Sequence, residues 1–204
     1  MVGALPTERR SMWQKFAPAL LLIGLASCGA RDGAANNAEG GGNVQSAALA
    51  KLTPTTTAFP DGAPIPAKFT CDGLGLAPAI QWTEAPPGTK SFALIVDDPD
   101  APGGTFGHWG VYDIPASARS VGGDQHVGTE LRNDFGKPGY GAPCPPPGHG
   151  PHHYRFKLFA LDTDHLALPA AATVGALETA VRGHAIAEGQ LVGSYERTSE
   201  GGRK

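Results

Sequence analysis

The stretch His152 to Leu161 (HHYRFKLFAL) limits the fold more than any other, because its side chains alternate. Tyr154, Phe156, Leu158 and Ala160 fall on one side and Arg155 and Lys157 on the other, the period of a strand with one face in a core. Such a strand needs neighbours, and two further runs qualify. Ser91 to Val96 (SFALIV) is continuously apolar, ends at Asp97 and Asp98, and reads as a buried strand. His108 to Ile114 (HWGVYDI) alternates and stops at Pro115. Ala79 to Thr83 and Gln190 to Tyr195 are weaker strand candidates. Thr173 to Arg182 (TVGALETAVR) is the one good helix: Thr173 can cap it, Val174, Leu177 and Val181 share a face, and Gly183 can end it. The 29 Gly and 19 Pro punctuate the apolar runs, so the chain reads as mainly β, sheet on sheet with a helix packed at its side.

The first part of the chain is unlike the rest. Phe16 to Ser27 is apolar and follows Arg9, Arg10 and Lys15; it is short for a bilayer span and has the length of a signal-peptide core. It ends in Leu25-Ala26-Ser27-Cys28, the pattern of a lipobox whose Cys becomes a lipidated first residue. Either Met1 or Met12 can start such a leader. Residues 28–48 then read as the lipidated Cys28 and a flexible tether, since Ala30 to Ala48 has almost no large apolar residue to offset its ordering entropy. The sequence thus divides into a signal peptide 1–27, a linker 28–48 and one domain 49–204. Gly29 after the lipidated Cys points to the periplasmic face of an outer membrane. The net charge of −3 and the lack of a Lys/Arg block argue against nucleic acid as the main partner.

Polar residues gather at strand ends. His152 begins the inward row of its strand with Tyr154, His108 opens another strand, and Asp98 and Asp100 flank Pro99 at the exit of a third. A buried Asp that accepts from a His N–H would fix the imidazole tautomer and leave the second ring nitrogen for a ligand. Asp98-Pro99-Asp100 is equally readable as a plain turn. His149, His152 and His153 crowd together, but adjacent strand residues face opposite ways, so no metal site and no cofactor is expected. Trp82, Phe106 and Trp109 read as core or pocket walls. No G-x-S-x-G elbow is present, so a nucleophile–base reading has little support. In an exported chain the remaining pair, Cys71 and Cys144, suggests a disulfide; two buried thiols are the alternative.

Asp98-Pro99-Asp100-Ala101-Pro102, His108-Trp109 and Ile114-Pro115 together resemble the first signature of the phosphatidylethanolamine-binding protein family. Gly139 to Pro146 (GYGAPCPP) with His152-His153-Tyr154 resembles its second, and the bacterial branch named Raf kinase inhibitor-like is similar from Phe69 to Arg197. The resemblance implies two antiparallel sheets in a Greek-key sandwich with a β-α-β element near the C-terminus. It also implies a small pocket for phosphate or a phosphoethanolamine head group, built from Asp98, Asp100, Pro102, His108, His152 and Tyr154. Pro143, Pro145-Pro146 and Tyr195 would form its rim. His108 and His152 would donate to the anion, Tyr154 would add a hydroxyl, and Asp98 would orient a histidine. His153 stands where the family commonly has Arg, and Ala142 where Gly is expected.

The reading that follows is a non-enzymatic anion-binding protein that regulates an unnamed protein partner and is held at the membrane by lipid on Cys28. Two alternatives come from other classes. One is an inhibitor that presses the pocket-rim loops on a protease or kinase; the other is a metal-assisted phosphoester hydrolase using Asp98, His108 and His152.

Overall fold

A computed structural model describes residues 49–198, so the leader 1–27, Cys28 and the tether to residue 48 lie outside the described residues. In chain order the strands are β1 (Ala50–Lys51), β2 (Ile80–Gln81), β3 (Ser91–Asp98), β4 (Phe106–Pro115), β5 (Ser120–Val121), β6 (Thr129–Glu130) and β7 (His152–Leu161); α1 (Val174–Val181) and β8 (Ala185–Tyr195) follow. Six strands form one sheet in the order β1-β8-β7-β3-β4-β6, and β2 pairs with β5 in a second, two-stranded sheet. Neighbours run antiparallel except β1 beside β8. The architecture is therefore mainly β, with one sheet of six strands and one of two. In the expected β-α-β run the two strands, β7 and β8, are direct antiparallel neighbours.

β3 shows why the apolar run SFALIV needs no alternation. All eight of its residues are buried, and the two faces serve different cores. Phe92, Leu94 and Val96 pack with Tyr154, Phe156 and Leu158 of β7 and with Ile80 and Val121 of the small sheet. Ala93 and Ile95 point the other way, onto Val174, Leu177 and Val181 of α1. The helix face is the one its spacing predicts, and the Thr173 side chain accepts from Ala176 N at 3.2 Å. The helix ends without a left-handed Gly183: the N–H groups of Gly183 and His184 bond back to the carbonyls of Ala180 and Val181.

Arg155 and Lys157 also point to the helix side. Both bind the buried Asp97, at 2.7 and 2.8 Å, and Lys157 reaches Glu178 of α1 at 3.0 Å. The sheet edges are blunt. β1 and β6 have two residues each, and beyond β1 the outer edge of β8 bonds to a loop: Gly62 N donates to Val192 O and Ile65 N to Ser194 O. β8 begins five residues before the expected Gln190. Gly189 permits this, because a Cβ there would sit 2.1 Å from the Leu52 carbonyl oxygen.

Candidate functional site

A strand irregularity builds one wall of the site. The β3–β4 ladder steps from Val96–Trp109 to Asp97–Gly107, so His108 is the extra residue of a bulge. Strict alternation after Trp109 would send His108 to the helix side. The bulge re-aims it beside Tyr154, with the rings edge to face at 5.1 Å. His108 therefore sits inside its strand at a bulge and does not open it, as the sequence pattern implies. Gly107 takes the helix-facing place, where a Cβ would meet Val174 Cβ at 2.6 Å.

His108 is buried and its Nδ1 donates to the Gly141 carbonyl at 2.7 Å, while Gly141 N donates to the His108 carbonyl at 2.7 Å. A carbonyl can only accept, so the neutral ring carries its proton on Nδ1 and is bare at Nε2. Burial pushes this imidazole below the usual histidine range, against the opposing pull of the Gly141 carbonyl and nearby carboxylates. Donation from His108 to an anion therefore requires that the ring first take up a proton at Nε2.

His152 and Asp98 form the second wall. Both are buried, and His152 Nδ1 donates to Asp98 Oδ2 at 2.7 Å. The other oxygen, Oδ1, accepts from Asp100 N at 2.9 Å. The two readings of Asp98, as a turn residue and as the orienter of a histidine, are thus both met, one on each oxygen. His152 Nε2 faces His149 Nδ1 at 2.8 Å.

These residues enclose a cavity of about 130 Å³ lined by Asp98, Pro102, His108, His152 and Tyr154, with Phe106, Phe135 and Pro145 among its apolar walls. Tyr154 is fully buried and its hydroxyl has no partner among the described residues. Burial first, and the Asp98 charge next, push its ionisation upward, so it stays a neutral donor. A larger groove of about 540 Å³ lies elsewhere, between the Lys51–Asp61 segment and β7–β8. Among the described residues the buried side-chain polar atoms without a partner are Trp82 Nε1 and the Tyr154 hydroxyl; neither lines this groove, and its Lys157 is already paired. The smaller cavity is the better site for that reason.

Three residues expected at the pocket are placed outside its lining. Asp100 Oδ2 accepts from both N and Nδ1 of the exposed His153 at 2.8 Å, which holds the Asp100 carboxyl below its usual range. Tyr195 lies opposite His152 in register but donates its hydroxyl to Asp72 Oδ2 at 2.7 Å. Pro143 is buried and its carbonyl accepts from Cys71 N at 3.0 Å. Each is turned away by a partner that no single-strand pattern reveals. Sequence reasoning missed Phe135, which is half exposed at the cavity, and the pairing of His149; the crowding of three histidines was the available signal for the latter. Cys71 and Cys144 are joined, which fastens the segment before Pro145 to the loop after Phe69. Among the described residues no group of three or more His, Cys, Asp or Glu is arranged to hold a metal.

Two buried histidines and a buried tyrosine thus line one cavity of a mainly β domain. The family model described as phosphatidylethanolamine-binding protein matches residues 55–196, and the chain belongs to that family. A UPF0098 protein of Aquifex aeolicus is 48% identical over 145 residues, covering 68% of this chain and 85% of its own. A Mycobacterium tuberculosis protein named as a candidate lipoprotein, LppC, is 43% identical over 147 residues, covering 71% and 72%. Among solved structures, E. coli YbcL, described as a new member of the mammalian PEBP family, superposes with a TM-score of 0.66 at 31% identity; the match covers 72% of this chain and 99% of YbcL.

Proposed function

We propose that this is a non-enzymatic binding protein that takes a small oxyanion, phosphate or a phosphoethanolamine head group, in the cavity between β3, β4 and β7. The Tyr154 hydroxyl is the observation that carries this reading. It is buried at a cavity wall with no partner among the described residues, and leaving a buried hydroxyl unpaired costs about 1–3 kcal/mol. An oxyanion accepts from it, and accepts again from His108 or His152 when either ring is protonated. Apolar walls from Pro102, Phe106, Phe135 and Pro145 keep water from weakening those bonds. Calorimetric titration with phosphate and with phosphoethanolamine tests the reading. Saturable binding that Tyr154→Phe weakens about tenfold is expected; no binding of either by the folded protein between pH 5 and 8 would overturn it.

The leader and the name of the mycobacterial relative support a lipid-anchored envelope protein, held by Cys28 at the periplasmic face of an outer membrane. Cys28→Ser is expected to abolish incorporation of a clickable fatty acid, and undiminished labelling would refute the anchor. Loading of the cavity would be read by a protein partner through the rim near Pro145 and Pro146, and capture of that partner by the tethered protein only when phosphate is present is the corresponding test.

A further inference from the structure

Both ring nitrogens of His152 are engaged. Nδ1 donates to Asp98 Oδ2, and Nε2 meets His149 Nδ1 at 2.8 Å. Each imidazole nitrogen has a single in-plane bonding position, so His149, which donates to it, excludes an incoming oxyanion, which needs a proton there to accept. With its proton held at Nδ1 by Asp98, neutral His152 is bare at Nε2, and the proton of the second bond comes from His149. The chain runs from His149 Nδ1–H to His152 Nε2, and from His152 Nδ1–H to Asp98.

The backbone around His149 is a turn held by two hydrogen bonds, Gly148 N to the Arg197 carbonyl at 2.8 Å and His149 N to the Pro146 carbonyl at 3.1 Å, so any movement is of the side chain. The residue is exposed and stands between Gly148, at φ 76°, and Gly150, at φ 88°. These are left-handed conformations that favour glycine, and nothing lies within 4 Å of where a Gly150 Cβ would be. His108, by contrast, is fixed to Gly141 by two hydrogen bonds.

We infer that His149 is a latch on the anion cavity: it occupies Nε2 of His152 while that ring is neutral, and leaves when both rings are protonated or an oxyanion takes its place. The inference rests on the oxyanion reading of the cavity. The groups around the pair set its direction. Asp98 of β3 faces His152 and balances one imidazolium. His108 of β4 and Tyr154 of β7 face the same cavity, the first uncharged while neutral and the second a neutral donor. On the outer side, the Asp100 carboxylate is taken by His153, and Tyr195 of β8 and the Arg197 guanidinium are turned to Asp72. Arg197 contributes only its carbonyl, which accepts from Gly148 N at 2.8 Å. Among the described residues no carboxylate besides Asp98 is hydrogen-bonded to the pair, so a second proton there is not balanced, and two imidazolium rings in contact repel. The exposed His149 ring swings out by side-chain rotation, and His152 Nε2–H becomes a donor to the cavity. Oxyanion binding is thereby linked to uptake of a proton.

The test uses the mature protein in detergent, with His149→Ala, an exposed position at which folding is preserved. Without any anion, imidazole nitrogen resonances are recorded at pH 8. The His152 Nε2 signal is expected to differ between parent and variant, because only the parent has the hydrogen bond from His149. Identical His152 Nε2 signals in both proteins would overturn the latch, whatever the cavity binds. Inorganic sulfate, whose charge is constant between pH 8 and pH 5, then probes competition. At pH 8 the variant is expected to bind sulfate roughly threefold to tenfold more tightly than the parent, the value of one neutral hydrogen bond. At pH 5 the two are expected to agree within about twofold. Equal affinities at pH 8 would overturn the latch and leave the oxyanion reading standing. Failure of both proteins to bind sulfate or phosphate at either pH would overturn the oxyanion reading, and the competition with it.

Discussion

Asp98 divides its carboxylate between two tasks, holding the turn at the end of β3 through one oxygen and His152 through the other. Removing the histidine ring leaves the second oxygen buried and unanswered. His152→Ala is therefore expected to cost roughly 3–5 kcal/mol of stability, as for a broken buried pair, and tenfold to hundredfold in phosphate affinity. His153→Ala, one residue on, removes only an exposed contact to Asp100 and is expected to cost less than about 1 kcal/mol, with little change in affinity. Thermal denaturation and calorimetry of the two variants side by side check this contrast; equal losses would mean that the strand faces are assigned wrongly. Tyr154→Phe separates stability from binding in another way. Deleting the orphaned hydroxyl is expected to raise the stability of the ligand-free protein by about 1 kcal/mol while weakening phosphate binding. A variant that loses both stability and affinity would show that the hydroxyl has a protein partner.

Between elements, the bulge at His108 and the bare face of Gly107 belong together: one brings an imidazole to the cavity while the other lets α1 approach the sheet. Gly107→Ala is expected to push Val174 away and cost about 1–3 kcal/mol, as overpacking does, with a lower melting temperature as the readout. What the sequence showed of this level depended on locality. The alternation of Tyr154 to Ala160 and the 174, 177, 181 face of α1 are properties of one segment, and both are found as read. The bulge depends on how β4 meets β3, so a pattern within β4 places His108 at a strand opening and misses its re-aiming. The same limit explains the site. Asp98, Pro102, His108, His152 and Tyr154 were legible through two long motifs, and all five line the cavity. Asp100, Pro143 and Tyr195 were assigned with them, but their partners lie on His153, Cys71 and Asp72, contacts that only the tertiary fold supplies.

For the molecule as a whole, the buried histidine ties stability to pH. Burial lowers the folded-state pKa of His108 below its unfolded value near ~6.5, so the unfolded chain binds the proton first as pH falls. The contribution of His108 is therefore present above about pH 6.5 and is lost as pH falls through its folded-state value. The lowered carboxyls of Asp72 and Asp100 act in the same sense, below the ordinary carboxylate range. Melting temperatures in anion-poor buffer are expected to fall from pH 8 to pH 5, less so in His108→Gln; an equal fall in that variant would remove His108 as the cause. The Cys71–Cys144 bridge closes 73 residues, and its reduction is expected to cost about 4 kcal/mol in the chain-entropy model, measured as the shift of the denaturation midpoint with and without reductant. Both strand neighbours of β3, β4 and β7, and the helix α1 on one of its faces are made after it, although Ile80 and Trp82 on the other face come before. Asp97 and its partner Lys157 are 60 residues apart, so during synthesis the segment Phe92 to Val96 exists for an interval with no β7 to lie against. Through that interval it is a short, uncharged, strand-prone ribbon, the kind of segment that pairs with its like in other nascent chains. Pulse-labelled amides of Ala93 and Ile95 should gain protection only with those of β7, which makes the lag between the two segments the period in which the newborn protein is most vulnerable to aggregation.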